Sequence, residues 1–364
     1  MRVGLMQEGQ NPPGWTPRNG EHENLGRYHE MVAEAVLAEN VGFDFYGVGE
    51  QHFGSSNSRV STPDVLRSFI AARTNRIKLR STSNNLLSYN HPIRIAENLA
   101  ALDVISNGRA EFGGARSNNP VTLKAFGIPP SETKKQRDEV LGVIAAALTS
   151  DPFEYHGDIY DIPPTRLMPR PLQTPHPPLH LSVTGIDSSE HAGALGLGAM
   201  IGFTISWDHL ADCLDSYRRG MQSPKLLTRT ANSSRGVFSA VVNCAPSRDQ
   251  ALEAAPPVII QWMSIVTRMY QSLGPQSSDY SYLEKIGNIA DHAQDADWLE
   301  RNMPYFLCGT PDDLIEHAKK AHELGANEVI WRIDGMGHKE HLRAIEMIGK
   351  EVIPELARWD EPQF

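Results

Sequence analysis

Short apolar runs alternate with longer amphipathic ones along the whole chain. The short runs predict strands at 2–7, 43–48, 77–82, 110–113, 179–183, 200–204, 238–243 and 328–333. Between them apolar residues recur three and four positions apart, as in Leu25, Tyr28, Val32 and Val36, the spacing of one helix face. Helices are predicted at 25–40, from 63 to about 74, from 92 through 102, at 131–148, from 188 to about 196, at 207–218, at 248–272, from 311 to 324 and at 338–358. Gly42 and Gly325 stand where helices stop, and Pro63, Pro92 and Pro311 stand in first turns. Pro256 and Pro257 fall inside 248–272 and predict a break or a late start there.

Two stretches leave this rhythm. Residues 151–178 are proline-rich and irregular, with a short hairpin predicted around His156, Gly157 and Asp158. Residues 274–297 are polar and weakly patterned, a candidate lid, as is the Pro/Gly-rich loop 11–20. Eight strands interleaved with helices, reaching both ends of the chain, favour one closed (β/α)8 TIM barrel with irregular insertions over an open sheet. No Gly-x-Gly-x-x-Gly follows the first strand, which argues against a dinucleotide-binding sheet.

Composition narrows the function classes. The 364 residues suffice for a large core, and a net charge of -10 without a long basic run argues against a nucleic-acid groove. Cys213, Cys244 and Cys308 have no metal-site or disulfide spacing. No signal-peptide pattern or membrane-length apolar run is seen, so a reduced, cytoplasmic location is expected.

On a barrel, the residues just after each strand meet at one mouth. The stretch GFDFYGVGEQHF ends its strand on Glu50, Gln51, His52 and Phe53, a bunch of chemistry-bearing side chains. Glu50 and His52 are candidates for acid–base work, with a loop-holding pair as the alternative. Ser83 and Asn84 follow the third strand and Arg116 the fourth. Thr184, Gly185, Ser188 and Ser189 sit where a helix begins after the fifth. Open N–H groups, hydroxyls and a guanidinium suit an anion, although Ser188 alone also reads as an N-cap. Tyr89, Trp207, Trp262, Met263 and Trp331 are candidates for an apolar pocket wall or for core. No metal-ligand spacing and no nucleophile elbow are present.

Four runs in order carry a family resemblance: GFDFYGVGEQHF, NHPIRIAENLAALDVISNGRAEFGGAR, TGIDSSEHAGALGLG and the stretch from CGTPDD to IPEL. Over nearly its whole length the chain resembles the bacterial luciferase-like, flavin-dependent monooxygenases. The resemblance implies a (β/α)8 barrel and reduced FMN delivered by a separate NAD(P)H:flavin reductase. It implies reaction with O2 through a C4a-(hydro)peroxyflavin to oxygenate a small organic substrate, and a homodimer. Arg116 would hold the flavin phosphate with Thr184, Gly185, Ser188 and Ser189, and Lys134 or Arg137 would add a second contact. Ser83 and Asn84 would lie under the ring, at a position where the family often has a non-proline cis peptide. The usual Glu-His-His becomes Glu50-Gln51-His52, so a histidine often given a catalytic role is Gln51 here, which cannot shuttle a proton near neutrality. Ala115 stands where the luciferases carry a reactive cysteine. Three other readings are a deazaflavin (F420)-dependent oxidoreductase transferring hydride, a non-catalytic flavin-binding paralogue, and a phosphate-binding aldolase or isomerase barrel.

Overall fold

The eight predicted strand regions close on themselves in the computed structural model, which describes residues 1–16, 25–54, 58–287, 292 and 295–362. In chain order the elements are β1 (Arg2–Gln7), α1 (Leu25–Val41), β2 (Phe45–Gly49), α2 (Pro63–Ala71), β3 (Lys78–Asn85), α3 (Pro92–Ile105), β4 (Ala110–Ala115), α4 (Pro120–Ala125) and α5 (Thr133–Thr149). There follow β5 (Phe153–His156), β6 (Asp161–Thr165), β7 (Leu179–Val183), α6 (Ile186–Leu195), β8 (Gly198–Ile201), α7 (Trp207–Gln222), β9 (Arg235–Ser239) and β10 (Val241–Cys244). The rest is α8 (Arg248–Leu273), α9 (Tyr282–Gly287), α10 (Ala296–Asn302), β11 (Phe306–Gly309), α11 (Pro311–Glu323), β12 (Glu328–Arg332), α12 (His338–Met347) and α13 (Ile353–Leu356). The barrel order is β1-β12-β9-β8-β7-β4-β3-β2, every pair parallel.

The barrel interior is layered. At its lower end Arg80 of β3 donates Nε to Glu111 at 2.8 Å and Nη2 to Glu328 at 2.9 Å, and its guanidinium lies 3.7 Å over the Phe45 ring. All four side chains are buried, so the charges stand only because each has its partner. Gly4 faces Phe45 across the β1–β2 pair, where a Cβ would lie 1.8 Å from the ring; the large side chain needs the small one opposite. The next layer is apolar: Met6, Met200 and Ile330 pack with Phe45 and Phe238. Outside, helices bury a continuous apolar cluster against the strands.

Several expectations need correction. The run predicted as one strand at 238–243 is two: β9 ends at Ser239, and after Ala240 the chain bends out so that β10 pairs with β11, a strand the sequence reading missed. Both pieces are apolar, so hydrophobicity carried no mark of the bend. The helix α8 runs unbroken through Pro256 and Pro257, because burial of Ala255, Val258, Ile259 and Trp262 holds it across the prolines. The expected hairpin in 151–178 is formed by β5 and β6. Loop 11–20 lies partly outside the described residues, as does 274–297. Cys213, Cys244 and Cys308 are all buried, and none of them is in a disulfide. Among the described residues, no helix is long and apolar enough to cross a membrane.

Candidate active site

The carboxyl ends of the strands open into a cavity of about 1070 Å³. That is just above the usual range for ligand pockets, about 300–1,000 Å³, with room for more than one small molecule. Its apolar wall is the upper barrel layer, Met6, Met200, Phe238 and Ile330, extended by Phe203 and Ile205. The aromatic residues singled out from sequence do not line it. Trp262 and Met263 are core of α8, Trp331 is fully buried on β12, Trp207 packs against His317, and Tyr89 stacks on Phe126 at 3.9 Å.

Of the polar candidates, Gln51, Ser83, Arg116, Thr184, Gly185 and Ser188 line the cavity, together with Lys134, Arg137 and Ala115. Glu50, His52, Asn84 and Ser189 do not. Strand alternation explains Asn84, which lies between the lining residues Ser83 and Asn85 on β3, while in the loop just past β2 Gln51 lines the cavity and its neighbours Glu50 and His52 do not. Turned outward, Glu50 becomes a fastening point. Its carboxylate meets His52 Nε2 at 2.8 Å and accepts from Asn90 Nδ2 at 2.8 Å and the Asn85 N–H at 2.9 Å. The His52 ring packs against Tyr89 and Phe126. Ser189, one position round the helix, is fully buried and donates its hydroxyl to the Gly185 carbonyl at 2.9 Å. The cis peptides of the described residues all precede proline, at Asp151-Pro152, Met168-Pro169 and Thr174-Pro175. The non-proline cis bond implied near Ser83 and Asn84 is therefore not formed; β3 instead absorbs an irregularity in its register with β4 between Arg80 and Asn84.

At one side of the cavity, cations meet the start of α6. The Ser188 hydroxyl accepts from the Thr184 and Gly185 N–H groups, each at 3.2 Å, which fixes the turn before the helix. The next N–H groups, at the first helical turn, have no partner within the helix. Arg116 stands over the Tyr280 ring at 4.4 Å and donates Nη2 to the Asp279 carbonyl. Its Nη1 is buried with no hydrogen bond, 3.7 Å from an Asp279 carboxylate oxygen. Lys134 Nζ lies 2.5 Å from the other Asp279 oxygen. The segment around Asp279 thus straps the cavity mouth, and Ser278, Asp279, Ser281 and Tyr282 line it.

Glu8, which the sequence reading passed over, also lines the cavity. Applying the strand-end rule to β1 finds it. Asp334, just past β12, accepts the backbone N–H of Glu8 and that of Gln10, the latter at 3.2 Å, clamping the exit of β1. Asp334 is itself held between Arg27 at 3.6 Å and Arg332 at 3.5 Å. Burial holds the Glu8 carboxyl above the ordinary glutamate value; Arg332 pulls it down, Asp334 adds to the rise, and the Gln51 amide opposes it.

The sequence matches the model of the luciferase-like monooxygenase family over residues 1–328. The chain belongs to that family. A relative within reach is 4-hydroxyprotoasukamycin monooxygenase of Streptomyces nodosus subsp. asukaensis, 26% identical, covering 92% of this chain and 88% of its own. Among solved structures, the barrel superposes on the oxygenating constituent of 3,6-diketocamphane monooxygenase of Pseudomonas putida, a type II Baeyer–Villiger monooxygenase in complex with FMN. That match has a TM-score of 0.69, 20% identity and 98% coverage of both chains. It superposes as well on the coenzyme F420 dependent tetrahydromethanopterin reductase of Methanopyrus kandleri, with a TM-score of 0.73, 18% identity and coverage of 98% of this chain and 99% of the other. At such identities these two likenesses speak for the fold. The luciferase-like relatives therefore include both flavin monooxygenases and F420-dependent reductases.

Proposed function

We propose that this protein is the oxygenase component of a two-component flavin-dependent monooxygenase, taking reduced FMN and O2 to oxygenate a small organic molecule. The observation that carries this reading is Arg116: a buried guanidinium nitrogen without a hydrogen bond, beside Lys134 and the start of a helix, suits a terminal phosphate. In this reading Arg116, Lys134 and the Thr184–Ser188 turn hold the phosphate. Ser83 and Asn85 face the ring, with Asn84 on the strand between them, and Ser189 braces the phosphate turn through its bond to the Gly185 carbonyl. Bound reduced flavin supplies the electrons for oxygen activation. The chain's own contribution is to orient the substrate and keep water away, the task of the Met6, Met200, Phe203, Phe238 and Ile330 wall. Gln51 offers hydrogen bonds to the reacting partners, and the Glu50–His52 pair fixes the loop that presents it. A flavin reductase as partner and a homodimeric assembly belong to the same proposal.

A second reading is hydride transfer with reduced F420, the coenzyme named for the Methanopyrus kandleri reductase that shares this barrel. The two separate in one experiment. The protein is mixed with reduced FMN or reduced F420, and binding and O2 uptake are followed. Tight binding of reduced FMN with O2 consumption supports the oxygenase. Binding of F420 without binding of FMN removes it. Replacing Arg116 by Met should weaken FMN by about tenfold to a hundredfold, the worth of a charged hydrogen bond, and leave riboflavin nearly unchanged.

A further inference from the structure

We infer that Glu8 is the proton-accepting group of the cavity, held in register by Gln51, and that the substrate is an otherwise uncharged, largely apolar molecule carrying one weakly acidic O–H or N–H. The inference rests on the oxygenase reading for its substrate and on geometry for its residue.

The geometry starts from a helix cap. Asn119 caps α4 with its side-chain oxygen, accepting from the Val121 N–H at 3.0 Å and the Thr122 N–H at 3.3 Å. That fixes which end of the Asn119 amide is the donor, and it is the Nδ2 end that reaches Gln51 Oε1 at 3.4 Å. Gln51 is in turn oriented, with its Nε2 donating to Glu8 Oε1 at 3.1 Å. Gln51 therefore aims a neutral donor at a carboxylate and carries no proton of its own to exchange. The other Glu8 oxygen lies 3.5 Å from Arg332 Nε on β12. The charged and titratable groups facing Glu8 are Arg332, Asp334 and, at longer range, Tyr305. Gly49 leaves the space: a Cβ there would meet Glu8 Cγ at 2.9 Å and Ser83 Oγ at 3.0 Å.

Position sets Glu8 apart from the other ionisable side chains of the wall. Those carboxylates and imidazoles belong to α5, α6 and α7 and to the strap at Asp279, whereas Glu8 comes from a strand end, two residues from the apolar Met6. A carboxylate in dry surroundings is a stronger base than one in water. The step is a simple transfer. The O–H or N–H bond of the substrate breaks, its electron pair stays on the heteroatom, and the proton forms a bond to a Glu8 carboxylate oxygen. Glu8 becomes neutral, the substrate becomes an electron-rich anion suited to oxygenation, and Glu8 later returns the proton to solvent or product. A wall of methionine, isoleucine and phenylalanine around that one base selects the apolar remainder of the molecule.

Two measurements test this. The first is an infrared difference titration of the protein without added cofactor, comparing wild type with Glu8→Gln. A protonated-carboxyl band titrating above the ordinary glutamate range and absent from the variant supports the assignment. An unchanged spectrum in Glu8→Gln, or a midpoint in the ordinary range, overturns it. Should Glu8→Gln fail to fold, Gln51→Leu gives the same answer: withdrawing the amide donor must move the midpoint upward, and a fixed midpoint sinks the idea. The second is the pH dependence of turnover with reduced FMN and phenolic or N–H-bearing apolar test substrates. Wild type should lose rate as pH falls through the Glu8 midpoint. Glu8→Gln should lose that acidic limb and about a hundredfold or more in rate, with reduced-FMN affinity unchanged. An acidic limb retained in the variant overturns the role. If wild type takes no reduced FMN at all, the oxygenase reading fails while the infrared titration still decides Glu8.

Discussion

Lys134 of α5 and Asp279 of the strap meet across the cavity mouth at 2.5 Å, with Arg116 on the far side of the same carboxylate. The pocket's cations are thus engaged by a side chain of the protein itself. An anionic ligand must displace or share that carboxylate.

Replacing Asp279 by Asn should therefore tighten FMN and leave riboflavin, which lacks the phosphate, unaffected. Lys134 is half-exposed, so the gain is modest, about two- to fivefold. Flavin fluorescence quenching at low and high salt reads it, with the difference shrinking at high salt. Weaker FMN binding in Asp279→Asn would show that the aspartate assists the anion rather than competing with it.

Gly113 of β4 lies against β3 with no room for a side chain: a Cβ would sit 2.1 Å from the Ser81 carbonyl oxygen. Backbone cannot step aside as a flexible side chain can. Gly113→Ala should cost about 1–3 kcal/mol or more of stability, seen as a lower urea midpoint. An unchanged midpoint would mean that the β3–β4 pair opens there at no expense.

Arg80→Met takes the fully buried cation from Glu111 and Glu328 and leaves them only the partly exposed Arg2, 3.0 Å and 3.2 Å away. The expected loss is at most about 3–5 kcal/mol, the cost of a buried charge left wholly uncompensated, and is measurable by urea or thermal unfolding. A variant as stable as wild type would show that Arg2 by itself compensates both carboxylates.

Acid should destabilise the protein before most of its carboxylates titrate. Burial pushes His180 and His317 each down to about 4 from the ordinary value of 6.5. The His180 ring is also fixed as neutral, donating to the Phe112 carbonyl at 3.0 Å while accepting from Asn232 at 3.1 Å. The unfolded chain gains these protons first. The stabilisation is therefore complete above about pH 6.5 and is lost as pH falls towards 4, by at most about 1.4 kcal/mol per pH unit for each ring. Unfolding at pH 7 and pH 5 in wild type and in His180→Asn checks this: the variant should lose less stability between the two.

The barrel was legible because its strands are short apolar-rich stretches set between helical patterns; β1 and β7 have the predicted bounds. Arg116, Thr184 and Ser188 were legible because strand ends converge, whatever the loops between them do. Glu8 was not, since nothing in its neighbours along the chain marks it. Its setting comes from Asp334, 326 positions away, and from Gln51. The inward or outward aim of Glu50, Gln51 and His52 needed the path of the loop just past β2. Asp279 sits in a stretch without periodicity, so no pattern placed it over Arg116.

The cysteines give an experimental opening. All three are inside the fold, and burial pushes the Cys213 thiol up to about 11 and the Cys244 thiol up to about 12. The native background towards alkylating reagents is accordingly slow. A single cysteine introduced at the exposed Ser281 would be the fast-labelling one, and its rate with and without an anionic ligand would report directly on whether the strap stays down.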